Sequence, residues 1–174
     1  SLCPPILGYE KSDRPNCKKI NDEMIRYISQ IKPEVVVLSA WWVDYDWKGI
    51  DSTLKKLNSI GVPNVYLMGP LPEWNDKVPN LIYKKSKSGT PNIVFERMLF
   101  GLKSDFPEID EQMKQIAQNN KVHFLSPRDI LCNKNGCIVL IGDEEKTNIA
   151  FDTTHLTLAG SKYLVAKFKS DLSK

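Results

Sequence analysis

The chain has 174 residues, 41% of them hydrophobic and 26% charged, a balance that fits one ordinary globular domain and excludes a disordered, collagenous or coiled-coil chain. Lys and Arg total 24 against 21 Asp and Glu, a formal +3, and the basic residues are scattered apart from a Lys-rich stretch at 83–87. No nucleic-acid partner is therefore expected.

Ile20, Met24, Tyr27, Ile28 and Ile31 recur at helical spacing and stop before Lys32-Pro33, which predicts an amphipathic helix over 18–31. Val35-Val36-Val37-Leu38 then reads as a parallel strand covered on both faces. Ile50, Leu54 and Leu57 mark a second helix closed by Gly61 with Pro63 beyond it, and Val65-Tyr66-Leu67-Met68 a second strand, completing a β-α-β unit. Residues 71–90 are Pro- and Lys-rich and read as a long excursion, with Lys84 to Lys87 a solvated loop, followed by a helical segment over 91–103. Ile109, Met113 and Ile116 predict a further helix, Val122 to Leu125 a strand in which His123 is a structural histidine, and Thr157 onward a terminal helix. The expected class is α/β with a mainly parallel sheet, whose ligands gather at the carboxyl ends of strands. Those ends carry Trp41, Trp42, Tyr45, Trp47 and Trp74.

The longest apolar run, 35–43, has nine residues and is interrupted by Ser39, far short of the roughly twenty that span a bilayer. Four cysteines fall as two local pairs. Asn135-Gly136 is a tight-turn signal that would bring Cys132 and Cys137 together, and Cys3 and Cys17 bracket a segment rich in turn formers. Two local disulfides are the first reading; four reduced thiols in a cytosolic protein are the other, which number and spacing leave open. Neither pair has CxxC spacing, so zinc is not expected.

The segment richest in chemistry is Phe151-Asp152-Thr153-Thr154-His155-Leu156-Thr157-Leu158-Ala159-Gly160-Ser161. A carboxylate three residues before a histidine at a loop-to-helix junction can accept from Nδ1, fix the tautomer and leave Nε2 as a general base. The competing reading has Asp152 or Thr154 capping the helix and His155 merely structural.

The block Asp152-x-x-His155-Leu156-Thr157-x-x-Gly160 before a C-terminal helix resembles the last block of the SGNH hydrolases. Cys3-Pro4-Pro5-x-x-Gly8, Cys17, Asn21, the strand running into Trp42 and Tyr45, Gly69-Pro70-Leu71-Pro72 and the Cys132/Cys137 pair are similar to one subgroup, over nearly the whole chain. These are the SGNH domains fused behind membrane-bound acyltransferases that O-acetylate bacterial surface polysaccharides.

The resemblance implies a three-layer α/β/α flavodoxin-like fold and exposure on the periplasmic or extracellular face, tethered to the membrane through an upstream acyltransferase domain. It also implies acyl transfer or ester hydrolysis on a surface polysaccharide or oligosaccharide acceptor, with an acyl donor and with neither metal nor cofactor. Asp152 would orient and His155 would act as base.

The family's nucleophile lies in a Gly-Asp-Ser block after its first strand, and that triplet does not occur here. Residues 1–174 are accordingly expected to be a single SGNH-like domain lacking the first strand and helix, with the serine supplied from outside and little esterase activity alone. Ser1, Ser39 and Ser161 are poor substitutes by context. Where the superfamily supplies an oxyanion-hole Asn, this chain has Ala40-Trp41-Trp42-Val43-Asp44. Trp42 could donate its indole N–H or stack on a sugar, with Trp41 and Tyr45 beside it, or these rings could pack the core. A noncatalytic glycan- or partner-binding domain built on the same aromatics is the alternative function.

Overall fold

The structure, a computed structural model, describes residues 3–88, 96–142 and 145–172. They fall into two compact units, one of 1–70 with 108–126 and the other of 71–107 with 127–174.

In the first unit, helix α1 (Cys17–Ile31) leads to strand β1 (Val35–Leu38), a 3-10 turn (Trp47–Gly49), helix α2 (Ile50–Ser59) and strand β2 (Asn64–Met68). Helix α1 ends where Lys32 turns left-handed, at φ 47°, ahead of Pro33. Helix α2 buries Ile50, Thr53, Leu54 and Leu57 on one face. It closes on Gly61, whose φ of +78° a β-carbon would disfavour. Helix α4 (Phe106–Asn119) and strand β4 (His123–Leu125) complete the layer. The three strands form a parallel sheet in the order β1-β2-β4, with Val36 beside Val65 and Leu67 beside Phe124. Leu38, Trp42, Leu54, Leu57, Leu67 and Met113 form its core.

One face of this unit departs from expectation. β1 is parallel as read from the sequence, yet Val35 and Val37 are 41% and 47% exposed. On α1, the expected apolar stripe of Ile20, Met24, Tyr27 and Ile31 faces solvent, while Cys17 and Asn21 are buried. Met24, Ile25 and Ile28 line an apolar groove of about 230 Å³ together with Pro5, Leu7 and Val37. Asn21 pins the start of the chain by donating from Nδ2 to the carbonyls of Pro4 and Ile6, at 2.9 and 2.8 Å. Cys3 and Cys17 form a disulfide.

The second unit contains helix α3 (Val78–Ser88), strand β3 (Arg97–Met98), helix α5 (Pro127–Leu131), strands β5 (Cys132–Asn133), β6 (Gly136–Ile138), β7 (Leu140–Ile141) and β8 (Thr147–Asn148), and helix α6 (Leu158–Leu172). All its strand pairs are antiparallel, in the orders β3-β6-β5 and β7-β8. The turn between β5 and β6 sets Cys132 opposite Cys137, and they form the second disulfide. The four thiols are therefore paired locally, not reduced.

Two expectations need correction here. Residues 78–88 are helical, not an open excursion: just ahead of the helix Asp76 accepts from the Lys77 N–H at 2.7 Å, and it also binds Asn80 and Lys84 on the helix. The lysines of 84–87 thus sit exposed on a helix. Of the helical segment expected over 91–103, residues 91–95 lie outside the described residues, and Arg97–Met98 is a strand because it pairs with β6.

Candidate active site

The second unit builds the Asp-x-x-His block as a short hairpin ahead of α6. Ala150 and Leu156 form an isolated antiparallel bridge, and the Phe151 N–H donates to the His155 carbonyl at 3.0 Å. Between these rungs the chain reverses through Asp152, Thr153 and Thr154. The carbonyls of Asp152 and Thr153 accept from the N–H groups of Val78 and Trp74, at 3.2 and 3.0 Å, which anchors the reversal to the segment before α3. Below it, Thr157 caps α6: its Oγ1 accepts from the Gly160 N–H at 3.0 Å and donates to the Asn148 carbonyl at 2.8 Å. Gly160 is required because a β-carbon there would overlap the Ile149 carbonyl.

Within this frame the two oxygens of Asp152 have separate tasks. Oδ1 accepts the backbone N–H of Thr154 at 2.9 Å and of His155 at 2.7 Å, an Asx-type turn that fixes the carboxylate. Oδ2 lies 2.7 Å from Nδ1 of His155. Partial burial pushes the Asp152 carboxyl up, but the two backbone N–H bonds and the imidazole more than offset it and hold the group below its usual range. Ionised Asp152 favours the Nδ1–H tautomer, leaving Nε2 as the acceptor on a side chain that is 68% exposed. The helix cap expected of Asp152 or Thr154 is supplied by Thr157 instead; one Asp152 oxygen serves the backbone of the hairpin and the other the imidazole.

The aromatic residues expected to bind substrate lie in the first unit and divide sharply. Trp42 is fully buried, and its indole N–H donates to the Met68 carbonyl at 2.7 Å. It can neither serve as an oxyanion donor nor stack on a sugar, because its donor already satisfies a main-chain acceptor and its faces are packed. Tyr45 is half-buried, with the Arg14 guanidinium 4.8 Å from its ring centre and Tyr9 edge-on at 6.0 Å. Trp41 is 46% exposed. Trp74, in the second unit, is buried. Ser39 is exposed immediately after β1, Ser161 lies within α6, and Ser1 lies outside the described residues. His123 stacks on Tyr66 at 4.6 Å between ring centres, as a structural histidine would.

A family model described as "SGNH domain (fused to AT3 domains)" matches residues 1–170. The chain belongs to this SGNH family. Its fold is likewise similar to a solved structure, the periplasmic domain of a lipopolysaccharide acetyltransferase from Salmonella ser. Paratyphi A, with a TM-score of 0.84 and 25% sequence identity. The match covers 99% of this SGNH chain and 69% of that one. None of the curated proteins matches. The mixed α/β fold inferred from the alternation of helices and apolar runs is therefore that of an SGNH domain.

Proposed function

We propose that this SGNH domain transfers an acyl group to, or hydrolyses an acyl ester on, a bacterial cell-surface glycan, using Asp152 and His155 with a serine supplied from outside residues 1–174. The observation that carries the reading is the 2.7 Å pairing of Asp152 Oδ2 with His155 Nδ1 on a carboxylate already held by two backbone N–H groups. The acetyltransferase domain it resembles supports the acyl chemistry and the glycan acceptor. That neighbour's periplasmic setting and the two disulfides here support an oxidising compartment, with tethering through an acyltransferase domain of the type named in the family description.

In the proposed reaction the serine Oγ attacks the carbonyl carbon of the acyl donor while Nε2 of His155 takes the serine proton. Asp152 stabilises the imidazolium through Nδ1–H. The donor's leaving group departs with that proton, giving an acyl-serine. A sugar hydroxyl, or water in the hydrolytic case, then attacks as His155 removes its proton, and the regenerated serine receives it.

Two observations support an external serine. The sequence lacks a Gly-Asp-Ser triplet, and β1 borders its sheet with Val35 and Val37 exposed beside the apolar groove of α1, the environment that a further parallel strand would cover. The test is acyl-ester turnover by the protein extended with its natural upstream segment, compared with its His155→Ala variant. Loss of at least about a thousandfold is expected. Turnover within a few-fold of the unmodified protein would overturn the assignment of the base.

A further inference from the structure

The bond from Asp152 restrains only part of the His155 side chain. An imidazole has two torsions, and a single hydrogen bond at Nδ1 fixes one combination of them, leaving the ring able to swing about that contact. For Nε2 to meet a serine hydroxyl within hydrogen-bond reach, the second degree of freedom must also be narrowed.

Phe151 supplies that restraint geometrically. The bridge between Ala150 and Leu156, followed by the bond from the Phe151 N–H to the His155 carbonyl, puts Phe151 directly across the hairpin from His155. Side chains so placed lie within contact reach. Their rings are nearly parallel, at 16° and 5.8 Å between centres, an offset stack. Phe151 is 57% exposed. Core packing therefore does not account for the position of its ring, which is set by the rungs of the hairpin and by the imidazole it faces.

We propose that Phe151 is a positioning residue for the catalytic base: its ring fixes the plane of the His155 imidazole while Asp152 fixes its Nδ1 edge, so that Nε2 points in one direction. The proposal rests on the reading of His155 as base. Its chemical requirement is a flat, apolar side chain at position 151, which Tyr and Trp meet and Ala and Leu do not.

The test has two arms. In the first, three-bond couplings to Cγ of His155 report its χ1 rotamer by NMR in the 174-residue protein. Only two histidines occur in the chain, so His123, stacked on Tyr66, serves as the internal reference. A single rotamer is expected for the unmodified protein, Phe151→Tyr and Phe151→Trp, and averaged rotamers for Phe151→Ala and Phe151→Leu, with His123 unchanged throughout.

In the second arm, steady-state turnover is measured in the protein joined to its upstream segment. Phe151→Ala and Phe151→Leu are expected to lower kcat by about fivefold with KM unchanged, and Phe151→Trp to restore it. A single rotamer in Phe151→Ala, or averaging with no change in kcat, would overturn the proposal. So would a rise in KM at constant kcat, which would make Phe151 a substrate contact. If His155→Ala retained turnover, the base itself would be misassigned, an outcome distinguishable because the rotamer arm does not depend on chemistry.

Discussion

The indole N–H of Trp42 donates to the carbonyl of Met68, the last residue of β2, at 2.7 Å. This bond joins the loop after β1 to the end of the neighbouring strand, and the fully buried ring fills the core beneath it. Trp42→Phe should cost about 1–3 kcal/mol, because the shape is largely kept while the Met68 carbonyl loses its donor. Trp42→Ala should cost about 3–5 kcal/mol. Trp41→Ala, at an exposed ring, should stay within about 0.5 kcal/mol of the unmodified protein. Urea unfolding followed by far-UV circular dichroism measures all three, and equal effects at the two positions would contradict this division of roles.

Lys103 and Glu73 form the most enclosed ion pair described in the second unit, with Nζ 2.6 Å from Oε1 and the Glu73 side chain only 6% exposed. The Lys103 N–H also donates to the Glu73 carbonyl, and the carboxylate raises the Lys103 ammonium above its ordinary pKa. Lys103→Met should destabilise by about 3 kcal/mol, since it leaves a buried carboxylate uncompensated. The double variant Glu73→Gln, Lys103→Met should recover most of that loss. If the double variant unfolded no later than the single one, the penalty would not arise from the stranded charge.

Acid sensitivity of α3 follows from Asp76. Its bonds from Lys84, from Asn80 and from the Lys77 N–H pull the carboxyl down to about 2. A group whose folded pKa is depressed contributes stability above its unfolded pKa of about 4, and that contribution is lost as pH falls toward 2. Protection of the amides across Val78–Ser88, taken relative to their intrinsic exchange rate at each pH, should therefore fall between about pH 4 and 2. Asp76→Asn should show faster exchange at neutral pH and a weaker dependence across that window; an unchanged acid profile would remove Asp76 as its cause.

The disulfides should differ in worth because their loops differ in length. Cys3 and Cys17 are 14 residues apart and Cys132 and Cys137 only five. On the chain-entropy account, replacing the first pair by serines costs about 3 kcal/mol and the second less. Titration of thiols in unfolded, unreduced protein should find none free; four would exclude an oxidising compartment. Denaturant midpoints of the two serine-pair variants give the ranking, and a larger loss from the short loop would contradict it.

Local periodicity carried most of the elements. α1, α2 and α4 were legible because apolar residues recur at helical spacing, and β2 and β4 because short apolar runs lie between turn signals. Helix α3 was not, because Pro79 and the lysines of 84–87 resemble loop composition. In the structure Asp76, two positions before Val78, binds the side chains of Asn80 and Lys84, and Val78 and Leu81 are buried on one face of the helix. The strand at Arg97–Met98 has only two residues and exists through its pairing with β6, which no local pattern records.

At the site, the Asp152–His155 pairing was readable from their three-residue spacing, and the roles proposed for the pair come from the family resemblance. Which ring covers the imidazole was not readable. Phe151 reads as one more apolar residue before an Asp, and only the register of the 150–156 hairpin places it opposite His155. For Trp42, composition at a strand end left a ligand surface and core packing both open, and the burial of its indole and the Met68 acceptor that decide between them are tertiary facts.

The uncovered side of β1 also bears on how these residues behave in the test tube. Among the described residues β1 is an edge strand with neither proline nor charge in its four apolar residues, and it lies in the same unit as the exposed Ile20, Met24, Tyr27 and Ile31 of α1, so it lacks the charges and prolines by which natural sheets discourage edge-to-edge association. Residues 1–174 produced alone should therefore self-associate with rising concentration, through β1 first. A lysine at position 35 or 37 should suppress this, giving the isolated domain a longer life in concentrated solution while leaving the Asp152–His155 hairpin as it is.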